Sequence, residues 1–258
     1  MPATVRGSSP SSTLRLGASA NEDKNPMAAT DPAPMSRAVA VLYAIVSPLT
    51  LVALVFVPAG RIDWLPGWIF IGVVTAVFAA SAGVLVWVNP AIYRARSRFQ
   101  PGTERWDLVL AQVILATAVL EVPLATLDSG RMSWSAVPLW MVIFGYVLLV
   151  GGIAVTTWAQ AVNPFFEPGV RIQHERKQRV VTFGPYAFIR HPGYTAAIAM
   201  FLGVAFALAS WWALIPAALA SGLLVLRTSW EDRLLQAELS GYSDYVRRIR
   251  FRLVPGLW

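Results

Sequence analysis

From Pro192 to Leu226 the chain runs for 35 residues without an Asp, Glu, Lys or Arg. Four earlier stretches, Ala38 to Val57, Trp68 to Val88, Leu108 to Leu127 and Val137 to Trp158, carry no charge except Glu121. A helix of about 20 apolar residues crosses roughly 30 Å of hydrocarbon. In lipid the backbone must satisfy its own hydrogen bonds, so helices are the expected form. The runs therefore predict an all-α, polytopic helical membrane protein with about five to six transmembrane helices. The last run is too long for one span; it reads as a hairpin hinged at Ser210-Trp211. With 56% of residues apolar and 14% charged, a soluble globule would lack polar residues to cover its surface, which nearly rules out a soluble enzyme. The absence of cysteine excludes disulfides and thiolate metal sites, and His174 and His191 alone are a poor basis for a metal centre.

Residues 1–35 are rich in Ser, Pro, Ala and Thr and read as a disordered tail, or as a start placed too early, with Met27 or Met35 the true one. Residues 36–158 form the N-terminal membrane helices, and 159–258 form a second region around the hairpin. Pro48 is expected to kink the first span, and Gly145, Gly151 and Gly152 to permit close helix contact in the fourth. Placing the N-terminus in the cytoplasm leaves only Arg61 and Arg131 of the 21 basic residues on the far side. Both termini are then cytoplasmic, and the bacterial inner membrane is the expected location. The net charge of +7 follows from topology, not from a nucleic-acid partner. Tryptophans at the span ends, Trp64 and Trp68 among them, are read as an interfacial belt.

The connection from 159 to 191 holds both histidines and differs from the other loops. Val180-Val181-Thr182 favours an extended segment and Gly184-Pro185 a turn, while Pro192 suits the first turn of a helix whose mouth is His191. Arg190 and His191 flank that mouth, where a carboxylate or phosphate could bind; anchoring at the interface is the other reading. Further on, Arg227 and Glu231 lie one turn apart, as an intrahelical ion pair or as part of a site. Leu234, Leu235 and Leu239 with Tyr242, Tyr245 and the basic run from Arg247 to Arg252 are expected to lie on anionic lipid. Gln112 and Glu121 could line a tunnel within the third span, or bond between helices.

Taken together, VVTFGPYAFIRHPGY at 180–194, the apolar hairpin, Arg227-Thr228, Glu231-Asp232, GYSDY at 241–245 and Val254-Pro255 resemble the isoprenylcysteine carboxyl methyltransferase family. The Arg-His-Pro-x-Tyr element is shared with the related phospholipid methyltransferases and, more loosely, with sterol reductases. The resemblance covers roughly residues 160 to 258. It implies S-adenosylmethionine as cofactor, held by Gln173, Val180, Val181, Tyr186, His191, Pro192, Gly193, Tyr194 and Glu231, with Arg227 facing the substrate. The spacing between Gln173 and Val180 is shorter than in eukaryotic members, and the second acid is Asp232, for which the resemblance makes the weaker claim.

The implied reaction is methyl transfer to a carboxylate, which needs placement and removal of water but no base or metal. The expected partners are a prenylated or other lipophilic substrate and the membrane lipids. A phospholipid or lipid amine is the alternative acceptor. A sterol-reductase-like enzyme using NADPH and a non-enzymatic transporter or scaffold are the rivals from other classes.

Overall fold

A computed structural model describes residues 37–96 and 99–258, so the expected disordered tail lies outside the described residues. The described chain is helical, with no strand among those residues. Helix α1 runs from Arg37 to Ala59, through Pro48, and α2 from Leu65 to Val88. A short α3, Ala91–Arg96, leads to α4, Arg105–Thr126, which a wider π-helical turn extends from Leu127 to Met132. Helix α5 is Leu139–Val162, α6 Pro192–Ala207, α7 Leu214–Glu238 and α8 Tyr242–Arg248. The helices at 65–88, 105–132 and 139–162 are long and apolar enough to cross a membrane, and Pro192–Ala207 is a shorter apolar helix. This is a polytopic helical membrane fold.

The hairpin forms with a broader hinge than two residues. At 1.5 Å per residue the 16-residue α6 reaches only about 24 Å. Helix α7 starts at Leu214, and Ala209 in the turn between them adopts the left-handed conformation with φ 54°. Asp128 clamps this turn to the segment after α4. It accepts hydrogen bonds from the Ser135 amide at 2.9 Å and the Ser210 hydroxyl at 2.5 Å, and Ser210 in turn accepts from the Ala213 amide.

Helices α5 and α6 share the most extensive contact of the bundle, and small residues set its closeness. A Cβ placed on Gly145 would lie 2.4 Å from the Ala207 nitrogen, and one on Gly203 2.7 Å from the Leu149 nitrogen. Gly152 is similarly closed by Met200, whereas Gly151, of the same expected set, faces open space. An apolar core joins Val55, Trp64, Phe70, Ala125, Leu149 and Leu208. Trp64 is thus a core residue and leaves the expected interfacial belt, while Trp68, Trp87, Trp134 and Trp212 remain exposed.

Two further expectations are corrected. Leu235, Leu239, Tyr242 and Tyr245 do not turn toward lipid; they pack with Ile172 and Val180 into a buried cluster, because the loop after α5 folds over that face. Gln112 is exposed on α4, while Glu121 is buried, since nine residues turn a helix by half a revolution. The two therefore line no common tunnel.

Candidate functional site

The loop after α5 has no regular strand, and Val180 and Val181 lie in irregular chain. Side chains fix its course instead. Asn163 donates to the Tyr186 hydroxyl at 2.9 Å and accepts from the Phe165 amide at 2.9 Å. Arg171 holds Glu167 through two hydrogen bonds and Glu175 through a third. Gln173 is buried with both ends of its amide engaged, donating to the Phe165 carbonyl at 2.7 Å and accepting from Arg176 at 2.8 Å. The turn at Gly184 forms, with φ +63°, as a short 3-10 segment through Ala187, and Pro192 occupies the first turn of α6 as expected.

Asp232 is the centre of the polar network, against the weak claim made for it above. Fully buried, it accepts two hydrogen bonds from Arg190 at 2.9 Å each, one from Arg252 at 2.9 Å, one from Tyr242 at 2.8 Å and one from Gln236 at 3.0 Å. His191 Nε2 approaches it at 3.2 Å. Burial alone would raise this carboxyl, but the hydrogen bonds from His191, Arg190 and Arg252 hold it well below the usual carboxylate range. Arg190 also caps the Ile249 and Arg250 carbonyls at 2.8 and 2.7 Å. It therefore faces inward and does not flank an anion at the α6 mouth. Residues 249–253 complete the wall: the Phe251 and Arg252 carbonyls accept from the Arg190 and His191 amides, and the Leu253 carbonyl from the Thr195 hydroxyl.

The Arg227–Glu231 ion pair does not form. Arg227 grips Asp107 of α4 through Nε at 2.6 Å and Nη2 at 2.8 Å, and also donates to the Pro168 carbonyl. Asp107 further accepts from the Val170 amide at 2.8 Å, which fastens the loop to α4 and α7 together. Glu231, one turn along, accepts a hydrogen bond from the Tyr194 hydroxyl. The Tyr194 ring stacks on His191, with centroids 5.7 Å apart and planes 6° from parallel, and the Arg227 guanidinium lies 5.3 Å from its centroid.

Of the residues the resemblance pointed to, the structure brings His191, Pro192, Gly193, Tyr194, Arg227 and Glu231 into one cluster at the N-terminal end of α6. Tyr186 joins its edge, buried, with its carbonyl accepting from Tyr245 at 2.6 Å. Val180 packs against the buried cluster of Leu235, Leu239, Tyr242 and Tyr245, and Gln173 organises the loop through Phe165 and Arg176. Residues 140–240 match the phospholipid methyltransferase family model. The matched segment takes in nearly all of α5, the loop, α6 and α7, so it contains this cluster, and it supports membrane methyltransferase activity. No curated protein matches the chain.

Sequence reasoning missed Asp107 and Arg252. The signal for Asp107 was present: a lone acid in the first turn of an apolar helix must find a cation if buried. Arg252 lay inside a basic run and had nothing to distinguish it.

Proposed function

We propose that this chain is an integral-membrane S-adenosylmethionine-dependent methyltransferase acting on a lipophilic acid, such as an isoprenylcysteine carboxylate. The observation that carries the reading is the charge pattern of the cluster. Glu231 is an acid whose hydrogen bond comes from a neutral phenol, with no cation paired to it among the described residues. It is matched to a ligand that brings its own positive charge. S-adenosylmethionine, when bound, supplies a methyl on a sulfonium, which a carboxylate takes without losing a proton.

The residues fit that group. Glu231 can accept from an ammonium or a ribose diol, and His191 and Tyr194 offer a stacked polar and aromatic face. Arg227, steadied by Asp107, directs the acceptor, and the loop with residues 249–253 shuts out water. Both termini and the site are cytoplasmic in this reading, on the side of 19 of the 21 basic residues.

The second reading, methyl transfer to a lipid amine, is favoured by the description of the matched family. Incubating the purified chain with radiolabelled S-adenosylmethionine, an S-farnesylcysteine acid and phosphatidylethanolamine separates the two. A base-labile product that releases methanol identifies a methyl ester, a base-stable one an N-methyl group, and no labelled product with either overturns both.

A further inference from the structure

Arg96, the last residue of α3, lies outside the matched segment and outside every motif considered so far. Its guanidinium sits 5.1 Å from the centroid of the Phe166 ring. Phe166 in turn fills the space beside Gly193, where a Cβ would meet the ring at 2.8 Å. Arg96 therefore reaches the α6 mouth across one aromatic ring. It is exposed, and among the described residues it has no acid within ion-pair distance. Desolvation by the chain packed around it lowers its pKa, and the positive charge of Arg227 lowers it further.

Two like charges at one mouth raise each other's energy unless an anion joins them. Arg227 already has Asp107, so the mouth holds one cation in excess, just as Glu231 is one acid in excess. The positive groups of the cofactor answer Glu231 and its own carboxylate can meet His191, which leaves Arg96 unanswered. We propose that Arg96 is a specificity-determining residue that binds the carboxylate of the lipophilic acceptor, with Phe166 holding its guanidinium in place. Arg227 commits Nε and Nη2 to Asp107 and Pro168 and so cannot offer its full fork to a substrate, whereas Arg96 can. The α2–α4 connection, and not only the region of the family match, would then select the acceptor. This assignment deepens the proposed function and rests on its choice of an acid.

The test compares binding of N-acetyl-S-farnesylcysteine with that of its uncharged methyl ester to the full chain in detergent, and titrates S-adenosylhomocysteine separately. The wild type should bind the acid about tenfold or more tightly than the ester, the scale of a charge-assisted hydrogen bond. Arg96→Gln should bring the two within about twofold, Arg96→Lys should keep part of the preference, and S-adenosylhomocysteine affinity should not move in either. An unchanged preference in Arg96→Gln, or no preference in the wild type, overturns the assignment. Failure of the wild type to bind S-adenosylhomocysteine would instead sink the proposed function, while the acid and ester pair still decides the role of Arg96. A thermal melt matching wild type establishes that Arg96→Gln is folded, and Arg96→Lys supplies the second reading if it is not.

Discussion

Glu231 and Asp232 are adjacent in sequence, and one peptide bond separates two different kinds of acid. On a helix, neighbours point about 100° apart, so Asp232 faces inward to Arg190, Arg252 and Tyr242 while Glu231 faces Tyr194. Asp232→Asn should therefore be a folding lesion. Neutralising Asp232 leaves the Arg190 guanidinium buried without its counter-charge, and a cost of about 3–5 kcal/mol is expected in thermal or denaturant unfolding in detergent. Glu231→Gln should leave the melt near wild type and weaken S-adenosylmethionine binding by roughly ten- to a hundredfold in calorimetry. If both variants melt alike and bind alike, the division of labour is wrong. Asp232 also sets an acid limit. Its folded carboxyl stays ionised at lower pH than the unfolded one, so its contribution is complete above roughly pH 4 and is lost as pH falls below that. The melting temperature should decline below about pH 4, and less steeply in Asp232→Asn than in wild type.

At the level of helices, α5 and α6 meet so closely that a single methyl group decides the contact. Gly145→Ala and Gly203→Ala each put a Cβ against backbone atoms that cannot swing aside, and should cost about 1–3 kcal/mol by overpacking. Gly151→Ala meets nothing, and should be neutral or stabilising by up to about 1 kcal/mol through helix propensity. Melting the three variants side by side checks the difference; equal losses would mean the interface is looser than it is drawn. The helices themselves were legible because a bilayer demands long uncharged runs, and the Gly-rich face of α5 because small residues have few other uses there. What each polar face touched was not legible. The stretch from Leu234 to Tyr245 has the pattern of a surface helix, and that pattern is the same whether its apolar side meets lipid or a loop folded over it. Arg227 and Glu231 carried the spacing of an ion pair, but Asp107, 120 residues away in sequence, takes the arginine, and no local pattern reveals such a partner.

Across the whole molecule, the site occupies one end of the helix bundle and the Asp128 clamp is built around the opposite turn of the hairpin. Topology can be tested directly on a chain that has no cysteine of its own. A cysteine introduced at Arg176 should react with an impermeant maleimide only after the cells are opened, and one at Arg131 should react in intact cells. The reverse result would turn the site outward and exclude a cytoplasmic cofactor. The six site residues that cluster were foreseeable as a set because the resemblance spans the α6 mouth and α7 together. The pairs that hold them, Arg227 with Asp107 and Asp232 with Arg252, were not, because Asp107 lies outside the resemblance and Arg252 is one of several arginines in a basic run.

The carbonyls of Phe251, Arg252 and Leu253 support the residues at the mouth of α6, some sixty positions earlier in the chain. A ribosome delivers the membrane helices first and this last strip afterwards, so the bundle can insert while its reaction chamber still lacks a wall. Newly inserted chains are then expected to hold no ligand until residues 249–253 fold back. Ending translation after Arg248 should give a protein that integrates into membranes as the full chain does, yet neither retains S-adenosylhomocysteine nor resists protease cleavage in the loop at 173–183. Retention of both by the shortened chain would show that the wall is dispensable. Order of synthesis then leaves the mouth of α6 unsupported until residues 249–253 are in place.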